Sequence, residues 1–158
     1  MPDVFTKAKR SVVMAAIRSW GNKDTELRMV ALFRLSGIKG WRRHLRLRIA
    51  ETGPRKKETT VRLRPVSVDF VFPKPRVAVF VDGCFWHGCP KHATKPKQNA
   101  TFWQTKLTRN RERDLEVTKA LRKAGWRVVR VWECDLAKEK TWPRVTKRIQ
   151  YALTRALA

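Results

Sequence analysis

Val77-Ala78-Val79-Phe80-Val81 is an unbroken apolar run, preceded by Pro73 and Pro75 and followed by Asp82-Gly83. Its length is that of a strand, and with no polar alternate position it is too hydrophobic to form an edge facing water. The chain has to build a sheet around it. Upstream, 66–72 is another strand, carrying Asp69 within Ser67-Val68-Asp69-Phe70-Val71-Phe72. Before that the pattern has period two: Leu45, Leu47 and Ile49 alternate with Arg46 and Arg48, then Val61 and Leu63 with Arg62 and Arg64. These segments read as the two strands of a basic hairpin, joined by an exposed connection at 51–58 that holds Gly53-Pro54 and Arg55-Lys56-Lys57. A last strand is expected at 126–132, Trp-Arg-Val-Val-Arg-Val-Trp.

Helical patterns alternate with these strands. Asn22 or Asp24 can cap a helix whose apolar positions are Leu27, Val30, Ala31 and Leu35, with Gly37 at its stop. A long helix over 101–124 carries Phe102, Trp103, Leu107, Val117 and Leu121 and ends at Gly125. A final amphipathic helix starts near Pro143, with Val145, Ile149, Ala152, Leu153 and Ala156 along one side. The order helix, strands, helix, strand, helix predicts an α/β sandwich with a central mixed sheet. No internal repeat and no glycine-rich phosphate loop is present in the sequence. The 158 residues suit a single domain over 21–158, preceded by a basic arm or short helix at 1–20.

Lys and Arg number 37 against 13 Asp and Glu, a formal net charge of +24. An apolar fraction of 42% with seven Trp excludes a disordered basic tail as the carrier of that charge, so it sits on a folded body and calls for a polyanionic partner. Like charges side by side on a strand are costly without counter-anions, which makes Arg46, Arg48, Arg62 and Arg64 candidate phosphate contacts. No run approaches the roughly 18 apolar residues of a membrane span. The start of the chain lacks the pattern of a signal peptide, and a cytoplasmic location is expected.

Two groups of residues carry chemistry. A carboxylate inside an apolar strand is expensive to bury unless it is paired or coordinates a cation, which singles out Asp69, with Asp82 at the end of the next strand. Acids on adjacent strands can share a hard cation such as magnesium, or merely accept hydrogen bonds at a strand rim. Directly after Asp82 comes Gly83-Cys84-Phe85-Trp86-His87-Gly88-Cys89-Pro90-Lys91-His92. Cys84, Cys89, His92 and the distant Cys134 make a Cys3His set suited to a closed, structural zinc site. His87 remains over, either as a hydrogen-bond partner of that site or as a general acid or base facing a phosphate. Phe85 and Trp86 suit either the core or a wedge that unstacks a base step. Glu26 falls in a first helical turn, where the helix dipole alone accounts for it.

The stretch Val79-Phe80-Val81-Asp82-Gly83-Cys84-Phe85-Trp86-His87-Gly88-Cys89-Pro90, with Phe102-Trp103, Gly125-Trp126-Arg127-Val128 and Val131-Trp132-Glu133-Cys134, resembles the very short patch repair (Vsr) DNA mismatch endonucleases. The likeness runs over about 7–136. It implies a restriction-endonuclease-like three-layer sandwich related to the PD-(D/E)xK nucleases, with a structural zinc knuckle. The implied activity is magnesium-dependent nicking of one strand of double-stranded DNA at a thymine mispaired with guanine, by a nucleoid-associated monomer working beside mismatch-repair proteins. In that resemblance Asp69 matches the essential metal-binding aspartate, His87 the second of two active-site histidines, and Cys84, Cys89, His92 and Cys134 the zinc set. Phe85, Trp86 and Trp103 match the intercalating aromatics, Met14 lies in a similar N-terminal arm, and Glu26 matches a helical glutamate near the active site. The expected magnesium ligands are Asp69, Asp82 and the main-chain carbonyl of Val81.

Three features depart from the family pattern. Asp82 stands where the first catalytic histidine is expected, so the base is a carboxylate or the metal gains a ligand. The approach Val66-Ser67-Val68-Asp69 replaces a Gly-x-Pro-Asp motif, and a basic insertion over 49–64 lengthens the hairpin before the active-site strand. Two alternatives stay open on the same residues: a nuclease of this fold with another lesion or sequence specificity, or an inactive zinc-stapled DNA-binding module.

Overall fold

The apolar run at 77–81 becomes β3 (Val77–Asp82), an interior strand whose Val77, Ala78 and Val79 have no exposed surface. A computed structural model describes residues 23–50, 63–92 and 99–155, together with positions 12 and 96. The expected arm at 1–20 with Met14, the helix cap Asn22, and the hairpin tip with Val61 and Arg62 lie outside the described residues, Val12 excepted.

The sheet has the order β1–β2–β3–β4, with β1 (Arg42–Ala50), β2 (Leu63–Phe72) and β4 (Arg127–Trp132) around β3. β1, β2 and β3 pair antiparallel, and β4 joins β3 in parallel, giving the expected mixed sheet. The parallel pair needs a crossover, supplied by α2 (Ala100–Lys123), while α1 (Arg28–Leu35) precedes the sheet and the short α3 (Glu133–Leu136) and α4 (Trp142–Thr154) follow it. Pro143 lies in the first turn of α4, and Gly37 and Gly125 stop α1 and α2 in the left-handed conformation at φ 65° and 81°.

Helices cover both faces of the sheet. On one side Leu121, Val117 and Ala120 of α2 pack on Ile49, Val68, Val71, Ala78 and Phe80. On the other, α1, α3 and α4 bring Met29, Phe33, Leu136, Val145 and Ile149 onto Phe70, Phe72, Val77, Val79 and Val131. Phe33 meets Phe70 and Phe72 edge-on, with ring centroids 5.2 Å and 5.6 Å apart, an arrangement favoured by the ring quadrupoles. No helix among the described residues is long and apolar enough to cross a membrane.

Two sequence expectations change. The strand candidates at 61–64 and 66–72 are one continuous strand, β2, running through Pro65. β3 pairs β2 only at Phe70, Val71 and Phe72, so the stretch around Pro65 has β1 as its partner and leaves its other side open, where a missing N–H costs no ladder bond. The buried stripe of α1 is Met29, Val30, Leu32 and Phe33, and Leu27 and Leu35 are exposed. A π-helical turn, Lys23–Leu27, precedes α1, and its wider ring shifts the phase of the residues that follow.

Candidate active site and metal centres

The site begins at an irregularity shared by two strands. Leu45 and Val68 pair and pack toward α2, whereas Phe70, only two residues beyond Val68, belongs to the opposite core, and its partner Arg43 reaches Glu26 beside α1. The alternation of faces therefore slips at His44 and Asp69, which stand opposite each other between the pairs Arg43↔Phe70 and Leu45↔Val68. His44 has φ 52°, a left-handed conformation inside a strand. At the same level β2 and β3 part, and the Asp69 carboxylate accepts the Val81 N–H at 2.8 Å where ladder pairing has stopped.

Asp69, His44 and Glu26 converge there, each offering a donor atom within 4.8 Å of the others. Glu26 lies in the π-helical turn and is 5% exposed; its Oε2 is 2.7 Å from Arg43 Nη2 and 2.9 Å from His44 Nε2. Burial pushes Asp69 up from the ordinary 3.8 to about 6, the Val81 hydrogen bond partly opposes it, and the charges of Glu26 and Asp82 add to it. Two hard carboxylates and an imidazole at this separation fit a divalent cation that accepts both oxygen and nitrogen donors.

A second polar group adjoins it. Both oxygens of Asp82 are taken by Arg130 of β4, Nε to Oδ2 at 2.7 Å and Nη2 to Oδ1 at 2.6 Å, and Asp82 is not one of the three converging donors. Arg130 also reaches Asp114 of α2 at 3.1 Å, and Asp114 Oδ2 pairs with His87 Nδ1 at 2.5 Å. Burial pushes Asp114 up, but the His87 hydrogen bond and the Arg130 charge outweigh it and leave the carboxyl below its usual range. Burial pulls Arg130 down, and Asp82 and Asp114 more than restore it. The N–H of Val81 donates to Asp69, which brings the end of β3 to this cluster. His44, Asp114 and Arg130 were absent from the sequence expectations.

The four soft donors also meet. Cys84, Cys89, His92 and Cys134 offer ligand atoms within 4.8 Å of one another, with Cys89 Sγ 3.8 Å from Cys134 Sγ and 3.9 Å from His92 Nδ1. Neighbouring ligands of a tetrahedral zinc with Zn–S near 2.3 Å stand roughly 3.8 Å apart, so the set fits that ion. A short turn shapes the knuckle: Cys89 N–H bonds Cys84 C=O at 2.9 Å, and Glu133 Oε2 accepts the Cys84 N–H at 3.0 Å, tying the knuckle to the start of α3. Burial together with the Cys134 thiol pushes Cys84 up to about 12, whereas for Cys89 the burial penalty is outweighed by hydrogen bonds from Lys91 and His92 and the thiol falls to about 7.

Aromatic rings stand beside the knuckle. Phe85, Trp86 and Trp103 form a half-buried triangle with centroids 5.1 Å, 5.3 Å and 6.0 Å apart, and Phe102, 59% exposed, adds to it at 5.5 Å from Trp103. These rings pack on one another outside both hydrophobic cores. The basic strand is divided between two faces: Arg46 and Arg48 are exposed on the face opposite to Leu45, Leu47 and Ile49, whereas Arg64 pairs Ile49 and bonds Glu116 of α2 at 2.9 Å.

The family model of the DNA mismatch endonuclease Vsr matches residues 2–95. The Type II nicking enzyme V.NaeI of Lentzea aerocolonigenes is 44% identical over 126 residues, 80% of this chain and 68% of that protein. The Type II nicking enzyme V.NmeAIP of Neisseria meningitidis is 38% identical over 138 residues, 86% of this chain and 85% of its own length. The DNA mismatch endonuclease Vsr of Escherichia coli is 34% identical over 155 residues, 95% of this chain and 86% of the relative. The mixed sheet between two helical layers is consistent with a restriction-endonuclease-like fold. With the Cys-Phe-Trp-His knuckle and the buried carboxylates beside it, these similarities place the chain in the Vsr DNA mismatch endonuclease family, as a DNA-nicking endonuclease.

Proposed function

We propose that the protein is a magnesium-dependent endonuclease that nicks one strand of duplex DNA at a T:G mismatch. The observation that carries this reading is the Asp69 carboxylate in the opening between β2 and β3, converging with Glu26 and His44 and within reach of the charge of Asp82, whose Oδ1 is 3.8 Å from His87 Nδ1. Asp69 and Glu26 would hold the divalent cation, which when bound polarises the scissile phosphate and lowers the pKa of a water. Asp114 engages Nδ1 of His87 and so leaves Nε2 as the nitrogen that exchanges a proton with the attacking or leaving oxygen. Asp82, held by Arg130, contributes fixed charge behind that histidine.

Substrate binding is divided among the remaining groups. Arg46 and Arg48 project at a two-residue spacing of about 7 Å from the strand face that leads to His44 and Asp69, suited to successive phosphates. The Phe85, Trp86 and Trp103 cluster is suited to enter a base step, and a mispair lowers the unstacking penalty there. Zinc on Cys84, Cys89, His92 and Cys134 would fix the turn that presents those rings. The protein would act as a cytoplasmic monomer on nucleoid DNA, with mismatch-repair proteins as partners.

A second reading has its own support. V.NaeI and V.NmeAIP are named as Type II nicking enzymes, which favours a nick set by a particular flanking sequence as well as by the mispair. A panel of duplexes carrying each mismatch in varied flanks, incubated with protein and magnesium, tests both readings. Nicking at T:G in every flank, and lost in Asp69→Ala, supports the first. Nicking of a mispair only within particular flanks supports the second, and binding without cleavage of any duplex would overturn both.

A further inference from the structure

We infer that His44 is a nitrogen donor of the divalent-cation site formed with Asp69 and Glu26, making it a mixed nitrogen and oxygen site that holds manganese and related transition ions more tightly than magnesium while still admitting magnesium. The inference rests on the proposed cation site and specifies its third protein ligand. It begins with strand geometry. Arg46 and Arg48 occupy the same face of β1 two and four residues along, and both are exposed, whereas the His44 side chain is only 12% exposed. A left-handed φ of 52° at His44 breaks the alternation and brings the imidazole to the Asp69 level, where β2 is irregular as well.

The ring delivered there is placed as a ligand would be. Its Nε2 stands 2.9 Å from Glu26 Oε2, and the three donors of Glu26, His44 and Asp69 all lie within 4.8 Å of one another. Adjacent ligands of a six-coordinate cation with bonds near 2.1 Å are roughly 3 Å apart, so the Glu26–His44 pair already spans one edge of such a polyhedron. Solvent contact of Nε2 is closed off in the fold, so the atom faces this cluster and not bulk water. Imidazole is a borderline donor that suits manganese, iron and cobalt, whereas magnesium prefers oxygen and keeps its waters. Carboxylates alone would not discriminate in this way. Arg43, on the same Glu26 oxygen at 2.7 Å, holds that carboxylate in place beside the His44 ring.

The experiment is metal binding without DNA, on protein whose cysteine site is kept loaded with zinc. Manganese and magnesium are titrated calorimetrically into wild type, His44→Asn and Asp69→Ala. Asparagine is chosen because it tolerates positive φ better than other residues that lack the ring. The expected result is a loss of tenfold or more in manganese affinity for His44→Asn, a change of less than about threefold for magnesium, and loss of both metals in Asp69→Ala. Pulsed electron paramagnetic resonance of manganese-loaded wild type should show coupling to a directly bound nitrogen that vanishes in His44→Asn. Equal weakening of the two metals in His44→Asn, or a wild-type spectrum without nitrogen coupling, would show that His44 only positions Glu26. Unchanged binding in Asp69→Ala would instead remove the cation site itself. The wild-type spectrum needs no variant, so a misfolded His44→Asn leaves the proposal open to refutation.

Discussion

Arg130 clamps Asp82 across neighbouring strands, Nε to Oδ2 at 2.7 Å and Nη2 to Oδ1 at 2.6 Å. Its guanidinium also lies over the Phe80 ring at 4.8 Å and reaches Asp114, so a single side chain neutralises two acids beside His87. A carboxylate where the family resemblance expects a histidine is thereby given a built-in countercharge. Removing the arginine leaves Asp82, 3% exposed, as an uncompensated buried charge. Arg130→Met is expected to cost about 3–5 kcal/mol in urea unfolding. The double variant Asp82→Asn with Arg130→Met should lose less than the sum of the two single changes by at least about 1 kcal/mol. Additive losses would mean that the pair does not act as a unit.

Asp69 should make cation binding depend on pH. Its carboxyl titrates at about 6 in the fold, so below that pH a cation must displace a proton. Affinity for manganese or magnesium is expected to fall about tenfold per pH unit below 6 and to level off above it. The metal-free protein should behave in the opposite sense. A folded pKa raised above the ordinary 3.8 means that the native state binds the proton more tightly than the unfolded chain. Stability from this group is present at low pH and is lost as pH rises from about 4 to about 6, on the order of 3 kcal/mol in all. Urea unfolding of wild type and Asp69→Asn across that range checks it, with the difference between them changing in this window and constant above it.

The dyad of His87 and Asp114 makes a separate prediction about rate. Asp114→Asn keeps the shape but removes the charged oxygen that fixes the orientation of the His87 ring. The nicking rate on bound substrate should fall by about 10²–10⁴, while duplex affinity changes little. Single-turnover kinetics beside a binding titration separates the two. A variant with a normal rate and weakened binding would assign Asp114 to the scaffold.

How much of this site could be read beforehand depended on the kind of signal each residue gives. Asp69 and the cysteine set were legible because a carboxylate in an apolar strand and soft donors at knuckle spacing are costly or idle without a purpose. The sheet with helices on both sides followed from one unalternating strand and the element order. His44 was hidden because its role depends on a cross-strand partner and a slip in the alternation, and a basic strand pattern gives neither. Asp114 and Arg130 sit among many charged neighbours, and only the docking of α2 and β4 around His87 selects them. Pro65 reads locally as a strand boundary, and it is accommodated because β3 does not extend to that level of β2.

Metal removal should act first on the knuckle. The cysteine set links the turn after β3 to Cys134 at the start of α3, so its metal would join segments far apart in sequence. Metal analysis of the purified protein is expected to give one zinc per chain, and a strong chelator should lower the melting temperature and increase the solvent exposure of Trp86 and Trp103. Cys89→Ser should reproduce both effects, since Cys89 lies close to both Cys134 and His92. Zinc-free protein with an unchanged melting temperature would exclude a structural metal at this position.

Arg46 and Arg48 provide a test of how the excess positive charge is used. Both are exposed on the strand face that leads to Asp69, whereas Arg64 turns to the other face and is occupied by Glu116. If the first two contact phosphates, each alanine substitution should reduce the slope of log affinity against log salt by about 1 and weaken all duplexes alike. Arg64→Ala, by contrast, should leave the slope unchanged and affect chiefly the docking of α2, by no more than about 1 kcal/mol for a partly exposed pair. Titrations of matched and mismatched duplexes at several salt concentrations separate these outcomes. An equal slope change for all three arginines would mean that Arg64 releases Glu116 on binding and that both faces of the ribbon meet DNA.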